Sequence, residues 1–285
     1  MPAAIIDGKK EAQVIRDEVA RDVAALQKQG VTPGLAVVLV GQNPASQVYV
    51  RNKRTACKKA GIESFSHDLP EDTSEETLLK LVKKLNDDNK VHGILVQLPL
   101  PGHIDSSKII EAIVPAKDVD GFHPENVGLL TLGQPCLRPC TPSGIIHLIE
   151  STGVEISGKR ACVLGRSNIV GKPVAMMLME RNATITVCHS RTQAIDEEIG
   201  RSDIVVAAIG RPGFVKGAWI REGAIVIDVG INRLEDGSLA GDVEYEQASE
   251  RAAFITPVPG GVGPMTIAML LRNTVTAARN AANIG

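Results

Sequence analysis

Aromatic side chains are scarce: one Trp, two Tyr and four Phe stand in 285 residues. Any core must therefore be aliphatic, built of Val, Ile, Leu and Ala, and a hydrophobic content of 44% is enough to build one. An excess of one charge is lacking too. The net charge is -2 and neither sign forms a long run, which argues against a nucleic-acid groove or a membrane surface as the main partner. No apolar stretch is long enough to span a bilayer. The opening MPAAIIDGKKEAQ lacks the apolar region of a secretory signal, because charge arrives at Asp7. Six histidines form no H-x-x-x-H pattern. The five cysteines (Cys57, Cys136, Cys140, Cys162 and Cys188) are odd in number, and Cys136 and Cys140 have no second pair at metal-ligand spacing. These absences predict no metal site and a reducing, cytoplasmic setting.

What is present is strand-helix alternation, in two rounds. The first runs through a helix over 8–29, a buried strand LAVVLV (35–40), a helix over 46–61, a strand near 63–68, a helix near 74–87 and a strand HGILVQLPLP (92–101) stopped by prolines. The second starts at RACVLG (160–165) and continues with strands at 184–188, 203–209 and 224–230. Continuous apolar strands alternating with helices predict parallel sheets covered on both faces. Between the rounds, residues 114–144 are rich in Gly and Pro and read as a long functional loop with an interdomain crossing, followed by a helix near 142–152. TPVPGGVGPMT (256–266) reads as irregular, and a closing helix runs from about 265 to 281.

VLGRSNIVGKP (163–173) leaves a buried strand and opens a helix. A glycine at that exit, Gly165, lets the backbone approach a phosphate, and the helix beyond offers free N–H groups and a positive dipole end. The spacing is not G-x-G-x-x-G, so the strand-turn-helix context carries the reading rather than the glycines. A ligand-free turn is the plain alternative. The next strand ends at Cys188, about 23 residues after Gly165, where an NAD-binding fold would usually place Asp or Glu. Here the residues are HSRT (189–192). Ser190 and Arg191 can bind a ribose phosphate that a carboxylate would repel, and Arg166 points the same way. NADP is therefore expected over NAD, although Arg191 also reads as a solvated surface charge.

The helix SQVYVRNKRTACKKAG raises a different question. At about 100° per residue, Ala45, Tyr49, Ala56, Cys57 and Ala60 share one side, and Arg51, Arg54 and Lys58 the other. Lys53 falls four residues after Tyr49, on the apolar flank. On its own this reads as a lysine whose stem lies on the core while its head reaches water. Two other stretches alter that. QLPLP puts Gln97 at the end of a parallel strand, where α/β sheets place ligands. KDVDG puts Asp120 before a glycine in the long loop, although Asp118 or Asp120 also reads as a turn cap.

With these residues in view, the chain resembles the bifunctional methylenetetrahydrofolate dehydrogenase/cyclohydrolase enzymes over nearly its whole length. The matching stretches are VGQNPASQVYVRNK, GILVQLPLP, KDVDGFHPENVG, RPCTPSG, GRSNIVGKP, CHSRT, IDVGIN, GDV and TPVPGGVGPMT. The resemblance implies an α/β fold of two domains with the folate cleft between them. Residues 1–140 with 265–285 would form the folate-binding catalytic domain with a parallel sheet, and 141–264 a Rossmann-type NADP-binding domain. It implies a homodimer, and a place in one-carbon metabolism. The implied reaction is NADP-linked oxidation of methylenetetrahydrofolate to the methenyl compound, then hydrolysis to the formyl compound.

Residue by residue, the resemblance places the family's Tyr-x-x-x-Lys pair on Tyr49 and Lys53, its active-site glutamine on Gln97 and its pterin-binding aspartate on Asp120. It adds Leu98, Pro99, Gly260, Gly261 and Pro264 on the substrate side. On the cofactor side it places Thr141, Gly165, Arg166, Ser167, Gly171, His189, Ser190, Arg191, Ile231, Gly263 and Thr266. The family pattern often carries a second lysine two residues after the first, and this chain has Thr55 there. In this reading Lys53 activates or orients the water that attacks the methenyl carbon, Gln97 holds the lysine, and Asp120 accepts the paired N–H donors of a pterin. Tyr49 lies against a folate ring. The glycines of PGGVGPMT would let backbone approach both ligands. Alternatives at this stage are a dehydrogenase without the hydrolase step, an NADP-sensing protein without catalysis, and an NADP dehydrogenase for another small substrate.

Overall fold

The computed structural model describes residues 2–284. In chain order the elements are β1 (Ala4–Ile5), α1 (Gly8–Lys28), β2 (Gly34–Val40), α2 (Pro44–Ala60), β3 (Glu63–Leu69), α3 (Glu75–Asp87), β4 (Gly93–Val96), α4 (Ser106–Ala112), α5 (Pro124–Thr131), α6 (Cys140–Glu150), β5 (Arg160–Leu164), α7 (Gly171–Met179), β6 (Thr184–Cys188), α8 (Ile195–Gly200), β7 (Ile204–Ala207), β8 (Ile225–Asp228), β9 (Asn232–Arg233), β10 (Leu239–Ala240), α9 (Tyr245–Arg251), β11 (Phe254–Ile255) and α10 (Val262–Ala281). They divide into two compact units, one of residues 14–140 with 267–285, the other of residues 1–13 with 141–266.

The first unit is built on a three-stranded parallel sheet of order β3-β2-β4. Every residue of β2 is buried, as a central parallel strand covered on both faces requires. The helix α2 starts where Asn43 accepts the Ser46 amide and Pro44 fills the first turn. It stops at Gly61, whose φ of 77° the αL cap demands. In α3, Leu78, Val82 and Leu85 recur at helical spacing and pack with Val38, Ile94 and Ile109 in an aliphatic core.

The second unit is a six-stranded parallel sheet of order β1-β11-β8-β7-β5-β6. Taking β5 as its first nucleotide-half strand, the order β6-β5-β7-β8-β11 is the doubly wound 2-1-3-4-5 arrangement, whose switch point lies between β5 and β7. Its core packs Cys162, Leu164, Val205, Ala207, Val226 and Ile255. A two-stranded antiparallel ribbon, β9-β10, follows β8.

Several expectations are corrected. Residues 1–13 do not fold with the first unit: β1 pairs with β11 and completes the six-stranded sheet. The strand read over 92–101 ends at Val96, because Pro99 and Pro101 cannot extend the ladder. Residues 114–144 are not one long loop. A 3-10 turn at Pro115–Lys117, the helix α5 and the start of α6 occupy them, with Pro115 and Pro124 each opening a helical turn. The closing helix begins at Val262, inside the stretch read as irregular, because Pro264 sits in the first turn, where no amide partner is lost.

Candidate active site and cofactor site

In the first unit, three chain segments converge at the carboxyl ends of the strands. Lys53 is carried on α2, is only 7% exposed, and donates from Nζ to Gln97 Oε1 at 3.1 Å. Gln97 follows β4 directly. Its amide bonds to Val38 O at 2.9 Å, and its Nε2 donates to Leu98 O at 2.6 Å. The side-chain amide is thus held at both ends, with its oxygen turned to the lysine. The Leu98–Pro99 bond is cis. Tyr49, one turn before Lys53, is 40% exposed. Thr55 is exposed, and its hydroxyl bonds back to Arg51 O, so it offers no cation where the family often has one.

Asp118 and Asp120 take opposite parts. Asp118 is buried and accepts from the Gly121 amide (3.2 Å), the His123 amide (2.7 Å) and Asn126 Nδ2 (2.9 Å). It builds the loop. Asn126 also reaches Pro115 O, and Asn273 on α10 donates to Val119 O and Arg138 O, pinning the same segment. Gly121 is obligatory, since a Cβ there would stand 2.5 Å from Pro139 N and φ is +75°. Asp120 enters none of these hydrogen bonds. Burial pushes its carboxyl up to about 6; Lys53 nearby opposes this and Asp118 adds to it. The residue as a whole is half-buried. The turn-cap alternative read for Asp118 is the part it takes, whereas the sequence reading did not foresee Asn126 and Asn273 as the frame of this site. The Asp and Asn of KDVDGFHPENVG were the only signal.

The second unit holds the remaining residues. After β5, Gly165 has φ +111°, and a Cβ on it would lie 2.2 Å from Ala208 O. A Cβ on Gly171 would lie 2.2 Å from Gly165 O. Both glycines are needed to form a backbone cradle at the switch point, and that cradle fits a dinucleotide pyrophosphate. Ser167 Oγ accepts the amides of Val170 and Gly171 at the start of α7. Arg166, Ser190 and Arg191 are exposed. His189 turns inward: its Nδ1 accepts the Arg191 amide and its own amide donates to Thr192 Oγ1. It shapes the turn that presents Ser190 and Arg191. Thr141 and Thr266 share a hydroxyl hydrogen bond at 2.9 Å, and Ile231 Cδ1 lies 3.5 Å from where Gly263 would carry a Cβ.

The loop glycines divide in a way the sequence reading did not anticipate. Gly261 is buried, and a Cβ on it would meet Thr256 Cβ and Pro257 O, each at 2.7 Å. Its lack of a side chain serves packing. Gly260 keeps a φ of +110°, and the Lys9 side chain is nearest to where its Cβ would stand. Pro264 is half-buried in the first turn of α10. Among the described residues no group of three or more His, Cys, Asp or Glu is placed to hold a metal.

A doubly wound sheet with a glycine cradle at its switch point, joined in one chain to a unit presenting Lys53, Gln97 and Asp120, defines an α/β protein of the dinucleotide-binding class. Residues 6–120 match the family described as tetrahydrofolate dehydrogenase/cyclohydrolase, catalytic domain, and residues 139–282 the same family's NAD(P)-binding domain. The bifunctional protein FolD of Magnetococcus marinus is 60% identical over 283 residues, 99% of each chain. The bifunctional methylenetetrahydrofolate dehydrogenase/cyclohydrolase of Campylobacter jejuni superposes with a TM-score of 0.96 at 47% identity, over 98% of this chain and 99% of that one. The Trypanosoma brucei methylenetetrahydrofolate dehydrogenase-cyclohydrolase, solved with NADP cofactor and inhibitor, gives 0.95 at 44% identity over 99% of each. The chain belongs to the tetrahydrofolate dehydrogenase/cyclohydrolase family.

Proposed function

We propose that this chain oxidises methylenetetrahydrofolate with NADP and hydrolyses the resulting methenyl compound to formyltetrahydrofolate, with the second step centred on Lys53. The observation that carries the reading is the buried Lys53 amine held at 3.1 Å by Gln97 beside Asp120. Bound NADP supplies the hydride acceptor. Residues of the chain supply position: Gly165, Gly171 and Ser167 receive the pyrophosphate, and Arg166, Ser190 and Arg191 the ribose phosphate. Ile231, Gly263, Thr141, Thr266 and the turn set by His189 complete that site.

On the folate side, Asp120 accepts the paired N–H donors of the pterin and Tyr49 covers a ring. Leu98 and Pro99, which follow Gln97, line the approach. In the hydrolysis, water adds to the methenyl carbon, and the proton it loses passes to the free amine of Lys53. One of the two C–N bonds at that carbon then breaks: the carbinol hydroxyl gives up its proton as the C=O forms, the departing nitrogen takes a proton, and the formyl group stays on the other nitrogen. Gln97 Oε1 directs the Nζ group toward that carbon.

The deciding experiment is an absorbance time course. Methylenetetrahydrofolate with NADP should yield NADPH, and methenyltetrahydrofolate alone should disappear without cofactor. If the second reaction is absent while the first proceeds, the chain is a dehydrogenase only. If neither folate binds, the substrate reading fails.

The same reading includes a homodimer. In support, β3 is an edge strand of the three-stranded sheet, and such an edge is open to association with a second copy. Sedimentation should give twice the chain mass of 30.2 kDa, and a monomer at micromolar concentration would remove the proposal. Placement in the cytoplasm agrees with five cysteines that form no disulfide, and among the described residues no helix is long and apolar enough to cross a membrane.

A further inference from the structure

IDVGIN and GDV each bring a buried aspartate, Asp228 and Asp242. Asp228 closes β8. Its Oδ1 accepts the amides of Gly230 (3.0 Å) and Asp242 (2.9 Å), and its Oδ2 the amide of Val243 (2.9 Å). Asp242 follows β10. Its Oδ2 accepts the amides of Ile209 (2.7 Å) and Gly210 (3.0 Å), and its Oδ1 the Arg211 amide (2.8 Å) and Asn232 Nδ2 (2.9 Å). The two carboxylates thus bind each other's segment and, between them, the turns that leave β7 and β8.

The fit leaves no room for side chains. A Cβ on Gly230 would lie 2.3 Å from Asp242 Oδ1, and one on Gly241 1.9 Å from Asp228 Oδ2. The Asp228 amide donates to Thr256 Oγ1 at 2.8 Å, which ties in the segment after β11. Such an arrangement is costly: burial pushes the Asp228 carboxyl up to about 6 despite three amide donors. What it yields is placement. Ile231, flanked by the tied Gly230 and Asn232, is held 46% exposed although it is a large apolar side chain. The turns so fixed stand at the carboxyl ends of parallel strands, where a doubly wound sheet receives its ligand.

We propose that Asp228 and Asp242 are positioning residues for NADP, which shape the 209–211 and 230–232 turns without contacting the cofactor. The inference rests on the cofactor reading given above. A sheet-stabilising role alone would affect both activities through loss of the fold. A positioning role separates them, because the hydrolysis step needs no NADP.

The test uses Asp242→Asn and Asn232→Ala in the full chain. The first sets an amide N–H₂ against backbone donors, and the second removes one donor while leaving the carboxylate in place. Read out are NADP Kd by calorimetry, KM and kcat for the dehydrogenase, cofactor-free hydrolysis of methenyltetrahydrofolate, and Tm. KM and Kd for NADP should rise about tenfold or more for Asp242→Asn and a few-fold for Asn232→Ala, with hydrolysis within about twofold of the unsubstituted enzyme. Should Asp242→Asn fail to fold, Asn232→Ala still decides. Unchanged NADP affinity in folded protein, or parallel loss of both activities, overturns the inference. Absence of saturable NADP binding by the unsubstituted chain overturns the cofactor reading itself, and this inference with it.

Discussion

The amine of Lys53 donates to the side-chain carbonyl of Gln97 across 3.1 Å, and Gln97 Nε2 is in turn tied to Leu98 O. This contact joins a helix and a strand end 44 residues apart. It orients the lysine through a neutral partner, as the proposed general-base role requires.

Lys53→Met keeps most of the stem and removes the amine. Hydrolysis of methenyltetrahydrofolate should fall by roughly 10²-fold or more, with Tm little changed. Lys53→Arg should fail almost as badly, because a guanidinium does not deprotonate near neutrality. Near-native hydrolysis by Lys53→Arg would show that only a fixed positive charge is needed.

Asp120→Asn should weaken folate binding by about 1.5–3 kcal/mol, the scale of one charged hydrogen bond, as read by calorimetry. Burial holds this carboxyl up to about 6 in the folded chain, above its ordinary value. The folded state therefore favours the protonated form. The associated stability is fully present below about pH 4 and is lost as pH rises through about 6. Two outcomes follow. Folate affinity of the unsubstituted enzyme should decline as pH drops below about 6. Asp120→Asn should be at least as stable as the parent at pH 8, and that advantage should vanish by about pH 4. A variant markedly less stable at pH 8 would contradict the account.

Arg191→Ala should raise the KM for NADP by about tenfold or more, the scale of a lost charged contact, and leave the KM for NAD nearly unchanged. Equal losses for both cofactors would remove the ribose-phosphate assignment.

Gly165→Ala places a Cβ against Ala208 O in a backbone with φ +111°. Strain of about 1–3 kcal/mol and a displaced turn should abolish most NADP binding and dehydrogenase activity, while cofactor-free hydrolysis persists. If NADP affinity is retained, the cradle does not hold the pyrophosphate.

Local chemistry made much of this legible. LAVVLV (35–40) read as a buried strand and lies within β2, whereas the helix read from residue 46 opens earlier, at Pro44, where Asn43 caps it. Lys53 stood out because helical periodicity put it with Tyr49 and away from Arg51. The two aspartates of KDVDG were not separable in the same way. Asp118 turns inward to Gly121, His123 and Asn126, whereas Asp120 is left near Lys53. That choice depends on where α5 packs, not on the order of residues. Nor did periodicity reveal that Ala4–Ile5 would join a sheet whose partner strand lies at Phe254–Ile255, because two-residue strands carry no pattern.

What the sequence determined by itself was the set of elements and their chemistry: alternating apolar strands and capped helices, a glycine at a strand exit, an arginine where an acid would exclude NADP, and a lysine on an apolar face. These are short-range properties, read within a few turns of one element. What only the tertiary structure decided was pairing across distance. Strand order, the Lys53–Gln97 contact, the division of labour between Asp118 and Asp120, and the mutual clasp of Asp228 and Asp242 all join residues remote in the chain. The physical reason is that a buried polar group must find its partner wherever packing places one, and packing is a property of the whole fold.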